Sequence, residues 1–386
     1  MNAITEKLPE LMGATQEDLA IAADPSVEDM LTRVRTIANR DLAPIVRQID
    51  ADGLYPEDVM RTFGSAGAYQ GHLPRGAATD LNASIAAMTI AGEHCLSTAF
   101  CMWCQSALGW YVFNSDNETL KVELGERLAS GELLGGTGLS NPMKTFFGIE
   151  KMNLKGTVVD GGYTISGRLP WVSNLGPGHL MAVVFEVPEQ DNKRVMAVVE
   201  FDADGVVPNE NDSFVALGGT RTYGLFFKNA FISHARVLAD PIDAYLKRIR
   251  AGFILLQSGM AFGMVRSCVD LMLKMRQPLG HVNQYLDVQP EALEEQLLQL
   301  QAKVTELAAT PYDDSKDYFI EVVRARLHAG ELAVQAAHHA MLHSGARGYV
   351  SNGVAQRRLR EAYFCAIVTP ATKQLRKMLS DLGANP

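Results

Sequence analysis

The sequence predicts an α+β fold in three parts: a helical N-terminal domain, a central β-barrel or sandwich, and a C-terminal four-helix bundle. Up to about residue 132, apolar residues recur at helical spacing. Between about 133 and 236 the pattern changes to short β-branched runs, and from about 237 helical spacing returns. We therefore expect domains over 1–132, 133–236 and 237–386, because 386 residues are long enough for two or three packed modules.

The N-terminal part carries the signals of several helices. Ser26 precedes two acidic residues, Glu28 and Asp29, and is the expected N-cap of the first helix. Apolar residues at helical spacing predict further helices over residues 83–96, 98–113 and 117–130. This part is interpreted as scaffold and core.

The central part is predicted to consist of short strands. Gly161 and Gly162 separate the runs 152–159 and 163–168, which predicts a β-hairpin. β-branched runs predict further strands over residues 180–187, 195–201 and 225–231. Short strands at this spacing are typical of a barrel or sandwich.

The C-terminal part is predicted to be an up-down bundle. Long helical runs are expected over residues 242–275, 291–308, 315–343 and 353–382. The connections between them are short, as in antiparallel bundles. The long apolar run at 242–275 also predicts a homodimer or homotetramer.

Charge and composition exclude several classes of function. A net charge of −9 does not attract phosphate backbones, so nucleic acid is not an expected partner. The N-terminus lacks the apolar segment of a secretory signal, and the apolar stretch 252–265 is too interrupted for a membrane span. Five cysteines, an odd and sparse number, indicate a reducing compartment, so we expect a cytoplasmic protein. Cys101 and Cys104 lack a second ligand pair, so no metal site is expected.

Two stretches carry the most specific motifs. The first contains Ala129-Ser130-Gly131-Glu132 and then Gly138-Leu139-Ser140-Asn141-Pro142, and the second runs from Gly161-Gly162-Tyr163 to Trp171-Val172-Ser173-Asn174. With the helix–sheet–helix order, these stretches resemble the acyl-CoA dehydrogenase family over nearly the whole chain. The chain departs from the family pattern at Asn141, where the family usually has Glu.

The resemblance implies an FAD cofactor whose isoalloxazine ring contacts four residues, called here the ring residues: Leu139, Ser140, Trp171 and Ser173. Backbone N–H groups and a hydroxyl at a strand end suit a pyrimidine carbonyl of the ring. An indole can cover one face of the ring. A hydroxyl two residues later lies on the same strand face and can hydrogen-bond N5, the atom that accepts the hydride.

Two further residues are implied at the FAD pyrophosphate. Arg276 matches a family arginine that reaches the pyrophosphate of a neighbouring subunit, and a guanidinium binds phosphate oxygens in pairs. Gly345 lies in a stretch similar to a glycine-rich turn of the family, where the backbone can approach the dinucleotide. The alternatives stay open: a surface arginine favoured by the helix dipole, and a glycine that ends a helix.

The residue that serves the family as catalytic base is missing at both of its usual positions. Most members carry Glu eight residues after an Arg-Asp-Ala run, and the corresponding position here is Thr369. Others carry it early in the long helix after the sheet, where this chain has Phe253. A threonine hydroxyl holds its proton too tightly to act unaided. We interpret Glu361 and His343 as structural, so the catalytic residue is unknown.

Three functions therefore remain open. The first is α,β-oxidation of an acyl thioester with hydride transfer to flavin N5 and a base at an unpredicted position. The second is a flavin-dependent monooxygenase of the same fold, and the third is a non-catalytic FAD- or acyl-binding subunit. The expected partners are an acyl thioester or another small-molecule substrate, and either an electron-acceptor flavoprotein or a flavin reductase.

Overall fold

The computed structural model describes residues 25–73, 81–210 and 214–385, so the N-terminal stretch considered above as a signal lies outside the described residues. The first part is helical, as predicted: α1 (Pro25–Ile37), α2 (Val46–Ala51), α3 (Glu57–Ser65), α4 (Leu81–His94), α5 (Leu96–Asn114) and α6 (Glu118–Ala129). Helix α1 begins at Pro25, so Ser26 lies inside its first turn and the predicted N-cap was wrong. Asn117 is the N-cap of α6, where its side-chain oxygen accepts the N–H of Leu120.

The central part forms one eight-stranded sheet among the described residues. Its elements are β1 (Gly135–Thr137), α7 (Ser140–Phe146), β2 (Lys155–Val159), β3 (Gly162–Val172), β4 (Leu180–Val187), β5 (Lys193–Glu200), β6 (Val206–Glu210), β7 (Tyr223–Ser233) and β8 (Val237–Ala239). The strand order is β6-β7-β3-β2-β4-β5-β8, and β1 pairs with β4 in parallel. The predicted hairpin is β2–β3, where Gly161 takes a φ of +77° that favours glycine.

The last part is helical again. Its helices are α8 (Asp243–Leu256), α9 (Ser258–Lys274), α10 (Arg276–Asn283), α11 (Pro290–Ala308), α12 (Lys316–Ser344), α13 (Val354–Ile367) and α14 (Thr372–Asp381). Two predicted helices are divided: 242–275 at Gln257, and 353–382 between α13 and α14. Pro370 explains the second break, because proline lacks an N–H and disfavours the helical conformation at the residue before it.

The molecule has two apolar cores. One joins the N-terminal helices to the C-terminal ones, with α4 packed along α9. The other lies inside the sheet and includes Ile165, Val183 and Phe227 from three different strands, so the sheet curves around its own core. Residues of the sheet such as Ala182, Val184 and Val198 also belong to the helical core, so side chains from the sheet and the helices meet at their boundary.

One helical run among the described residues, Asp243–Lys274, is long and apolar enough to cross a membrane by length and composition alone. Within the protein, 89% of its most apolar window is buried, as in a core helix. The described part of the chain holds no group of three or more His, Cys, Asp or Glu side chains that could bind a metal ion. All five cysteines are free and buried.

Candidate functional site at the boundary of sheet and helices

The ends of β1 and β3 lie side by side. Asn174, which follows β3, donates its side-chain N–H to the carbonyl of Gly135 in β1 at 2.7 Å. A Cβ added to Gly136 would lie 2.0 Å from the carbonyl oxygen of Ser173, so only glycine permits this approach. The two motifs that were matched separately in the sequence therefore meet, and the ring residues are brought to one end of the sheet.

Residues 139 and 140 begin a short helix. Leu139 is buried and is the N-cap of α7, where its carbonyl accepts the N–H of Met143, and Ser140 is the first residue of α7. Asn141 is buried and orders the following loop: its Oδ1 accepts the N–H of Asn153, and its Nδ2 donates to the carbonyl of Lys151. The Asn at the usual Glu position is thus an internal hydrogen-bonding residue.

Trp171 and Ser173 differ in exposure at the end of β3. Trp171 is 55% exposed, although large aromatic side chains are usually buried, and it presents a planar apolar surface. Ser173 is buried, and its hydroxyl lies 2.6 Å from the hydroxyl of Thr222. Thr222 in turn lies 2.8 Å from the hydroxyl of Thr220, which donates to the carbonyl of Leu217.

Thr369, where the resemblance leads us to expect the family base, contacts Ser140 from the helical side. The hydroxyl of Thr369 lies 3.0 Å from the hydroxyl of Ser140, across 229 positions of the chain. The Thr369 carbonyl accepts a 2.9 Å hydrogen bond from the side chain of Gln257. Gln257 accepts at 2.6 Å from Arg326, a buried residue whose pKa is lowered to about 10 by burial. Two uncharged hydroxyls, those of Ser140 and Thr369, therefore meet at this boundary.

The second base position is filled by an aromatic cluster. Phe253 is buried, and its ring centroid lies 5.2 Å from that of Trp103 and 6.2 Å from that of Tyr111. The Tyr111 hydroxyl lies 3.1 Å from the hydroxyl of Thr137 at the end of β1. Burial raises the pKa of Tyr111 well above its ordinary value, so it stays protonated at neutral pH. The described residues of this cluster are buried, aromatic and uncharged.

Two acid–base candidates occupy structural positions, as interpreted from the sequence. Glu361 is buried and bound by Arg357 at 3.0 Å and by Arg358 at 2.9 Å. His343 is also buried, and its Nε2 lies 2.9 Å from the carbonyl oxygen of Val288. Glu361 pairs within α13, His343 joins α12 to the segment before α11, and neither hydrogen-bonds a ring residue within the described ranges.

The two pyrophosphate candidates lie apart from the ring residues. Arg276 begins α10 and contacts both carboxylate oxygens of Glu291, with 45% of its side chain exposed. Gly345 ends α12 with a φ of +55°, as the helix-ending alternative requires. In the described part of one chain, neither forms a hydrogen bond or ion pair with a ring residue. Their contact with FAD of a neighbouring subunit stays a prediction.

Several residues of the site were not found from the sequence. Thr220, Thr222, Gln257 and Arg326 contact it through pairings between distant segments. None lies in a stretch that resembles the family motifs. A weak signal was the pair of polar residues Gln257 and Ser258, which interrupts the apolar run 252–265.

The residues at this boundary fit a flavin ring in type and position. The half-exposed indole supplies a planar surface, and the hydroxyls of Ser140 and Ser173 supply hydrogen-bonding groups at two adjacent strand ends. The close approach at Gly136 aligns these strand ends. The chemistry of the donor set therefore agrees with the resemblance.

Comparison with known proteins gives a consistent result. Residues 24–132 match the family model described as "Acyl-CoA dehydrogenase, N-terminal domain". The mitochondrial short-chain specific acyl-CoA dehydrogenase of Homo sapiens is 25% identical over 356 residues, which cover 88% of this chain and 85% of the human protein.

Two solved structures show the same fold. Butyryl-CoA dehydrogenase from Megasphaera elsdenii superposes with a TM-score of 0.81 at 16% identity, covering 93% of this chain and 98% of that one. Nitrososynthase from Micromonospora carbonacea superposes with a TM-score of 0.78 at 16% identity, covering 94% and 98%. The chain therefore has the fold of these proteins over nearly its whole length, and its residues 24–132 match the N-terminal domain of the acyl-CoA dehydrogenase family.

Proposed function

We propose that this protein is an FAD-dependent oxidoreductase, and that it acts as a monooxygenase that needs no carboxylate base. The observation that carries the proposal is the contact between the hydroxyls of Ser140 and Thr369 at 3.0 Å. It joins a ring residue to the usual base position, and both groups are uncharged alcohols. FAD supplies the redox chemistry when it is bound.

The ring residues would hold the flavin in three ways. Trp171 would cover one face, which stabilises a stacked aromatic pair by about 0.5–1.5 kcal/mol. Ser173 would hydrogen-bond at N5, and Ser140 with the backbone around Leu139 would bind the pyrimidine edge. Thr369 would orient the Ser140 hydroxyl, because the Gln257 hydrogen bond fixes its carbonyl. Arg276 and Gly345 would bind the pyrophosphate, the former from a neighbouring subunit.

Removal of an α-proton from an acyl thioester requires an ionised base within hydrogen-bond reach. Thr369 is an alcohol and Phe253 is a hydrocarbon, so neither can take that proton. Glu361 is ion-paired with Arg357 and Arg358. It could act as the base in place of Thr369 or Phe253 only by breaking a buried ion pair. A reaction in which the flavin uses oxygen needs no such base, and this favours the monooxygenase class.

A second candidate function is α,β-oxidation of an acyl thioester. The observation that favours it is the 25% identity with a human short-chain acyl-CoA dehydrogenase over most of both chains. This function needs a base from another residue. The apolar surface of Phe253, Trp103 and Tyr111 would then contact the acyl group.

The partners follow from the chosen chemistry. A monooxygenase would receive electrons from a flavin reductase and act on a small molecule, whereas a dehydrogenase would bind an acyl thioester and reduce an electron-acceptor flavoprotein. A homodimer or homotetramer is proposed from exposed apolar residues on α13, Tyr363 at 57% and Ile367 at 63% exposure. A cytoplasmic location is proposed from five free, buried cysteines.

The proposal is tested by reconstituting the protein with FAD and supplying NADH and a flavin reductase in air. We expect bound flavin and rapid oxygen uptake above the rate of the reductase alone. A protein whose FAD is instead bleached by an acyl-CoA without oxygen supports the second candidate. Bound FAD that is inert in both assays indicates a non-catalytic subunit, and a protein that retains no FAD contradicts all flavin-based functions.

A further inference from the structure

Three hydroxyl groups lie in a row behind Trp171. Ser173 Oγ is 2.6 Å from Thr222 Oγ1, which is 2.8 Å from Thr220 Oγ1. Thr220 Oγ1 is 2.8 Å from the carbonyl oxygen of Leu217. The row therefore begins at a ring residue and ends on a group that can only accept a hydrogen bond.

The number of protons fixes the direction of the whole row. A carbonyl carries no proton, so Thr220 donates to Leu217. Each hydroxyl has one proton, so Thr220 has none left for Thr222, and Thr222 must donate to Thr220. By the same count Ser173 donates to Thr222. The Ser173 oxygen is left with lone pairs and no proton for a ligand.

Burial keeps the row in this direction. Thr220 and Ser173 are buried, and the N–H of Asn174 donates to the Thr220 carbonyl at 2.9 Å, which ties the end of β3 to this segment. Reversing the row would leave the Leu217 carbonyl without the Thr220 hydrogen bond. Leaving a buried acceptor unpaired is costly, so the described direction is favoured.

We propose that Thr220 and Thr222 make Ser173 a hydrogen-bond acceptor and thereby favour reduced FAD over oxidised FAD. The inference rests on the proposed function, in which Ser173 faces flavin N5. Reduced flavin carries a proton at N5, and oxidised flavin presents a lone pair there. A Ser173 oxygen that can only accept a hydrogen bond attracts the N5 proton of reduced FAD and repels the N5 lone pair of oxidised FAD. Thr220 and Thr222 are thus positioning residues that raise the reduction potential of the cofactor.

The test is the midpoint potential of bound FAD in the wild type, Thr222→Val and Thr222→Ser. Valine has the shape of threonine without the hydroxyl, so it frees the Ser173 proton for oxidised N5. We expect the preference for reduced over oxidised FAD to fall about tenfold, which lowers a two-electron potential by about 30 mV. Thr222→Ser keeps the hydroxyl and is expected to keep the wild-type potential.

Thr164→Val, in β3 but away from the ring residues, is the matched control and should leave the potential unchanged. If Thr222→Val does not fold, Thr220→Val tests the same point, because it removes the acceptor that orients Thr222 and should also lower the potential. An unchanged or higher potential in the variant that folds, with FAD still bound, would overturn this inference alone. A wild type that binds no FAD would overturn the proposed function as well.

Discussion

The two sides of the candidate site keep different amounts of the family chemistry. On the side of the sheet, Trp171 and Ser173 stand at a strand end with a half-exposed indole and a hydroxyl, as the motif predicts. On the helical side, the two positions where the resemblance leads us to expect a base hold an alcohol, Thr369, and a buried ring, Phe253. Under the proposed function, the difference means that the cofactor-binding residues and the expected base positions lie on separate parts of the fold.

The largest expected effect is on stability and concerns the carboxylate of Glu361, on the helical side. Glu361→Gln leaves Arg358 buried without its ion partner, so we expect the free energy of unfolding to fall by about 3–5 kcal/mol. Denaturant unfolding measures this loss. Without denaturant, the visible spectrum of FAD bound to the folded variant should equal that of the wild type.

The control for that variant is Glu331→Gln, which breaks an exposed ion pair with Arg376 and should change stability by less than about 1 kcal/mol. A stable Glu361→Gln protein with an altered flavin spectrum would place this carboxylate in the reaction. That result would contradict the view that the helical side of the site lacks a catalytic carboxylate.

The next effect concerns the side of the sheet. Trp171→Ala combined with Ser173→Ala removes one stacking contact and one hydrogen bond, each worth about 1 kcal/mol. We expect the affinity for reduced FAD, whose N5 proton Ser173 accepts, to fall about thirtyfold, measured by anaerobic absorbance titration. Phe231→Ala is the matched control, since Phe231 is 53% exposed on the same sheet and Trp171 is 55% exposed. Equal FAD affinity in both proteins would remove Trp171 and Ser173 from the cofactor site.

Arg276 allows a test of the neighbouring-subunit contact. A lost charge-assisted hydrogen bond costs about 1.5 kcal/mol, so Arg276→Ala should weaken FAD binding about tenfold. Arg324→Ala is the control, because its side chain is 47% exposed in an ion pair with Glu321, as Arg276 is 45% exposed beside Glu291. If the two variants bind FAD equally well, Arg276 is a surface residue favoured by the helix end.

The smallest effect concerns the point where the two sides meet. Ser140→Ala and Thr369→Val each remove one hydroxyl, and each should weaken FAD binding about fivefold, or about 1 kcal/mol. Because the hydroxyls are paired, the double variant should be weaker than the wild type by less than the two losses added together. Thr372→Val is the control. It removes a hydroxyl that donates to the Ala366 carbonyl across the connection of α13 and α14, and it should leave FAD affinity unchanged. Fully additive losses would show that Ser140 and Thr369 act independently.

Much of the fold follows from local patterns in the sequence. The three-part order is confirmed because helical and alternating periodicities are local properties. The division of the predicted helix 353–382 was missed, although Pro370 lies inside it, because apolar spacing continues on both sides. The start of α7 at Ser140 was missed because a strand-end motif was matched there instead.

The site could be predicted only where its residues share a stretch of chain. Trp171 lies in β3 and Ser173 directly follows its last residue, so local chain geometry alone relates them. Thr369 and Ser140 are 229 positions apart, and their contact depends on how the sheet rests on the helices. The row from Ser173 to Thr220 likewise joins two separate segments, so its direction could be derived only from the folded structure.

The most direct test of the central claim is an anaerobic absorbance titration of the FAD-reconstituted wild type with butyryl-CoA. We predict one bound FAD per chain, because the ring residues bind it. Its visible absorbance should remain that of oxidised FAD throughout the titration, because neither Thr369 nor Phe253 can remove a proton from the substrate. Loss of the flavin on gel filtration, or full bleaching of its absorbance by butyryl-CoA, would contradict the account.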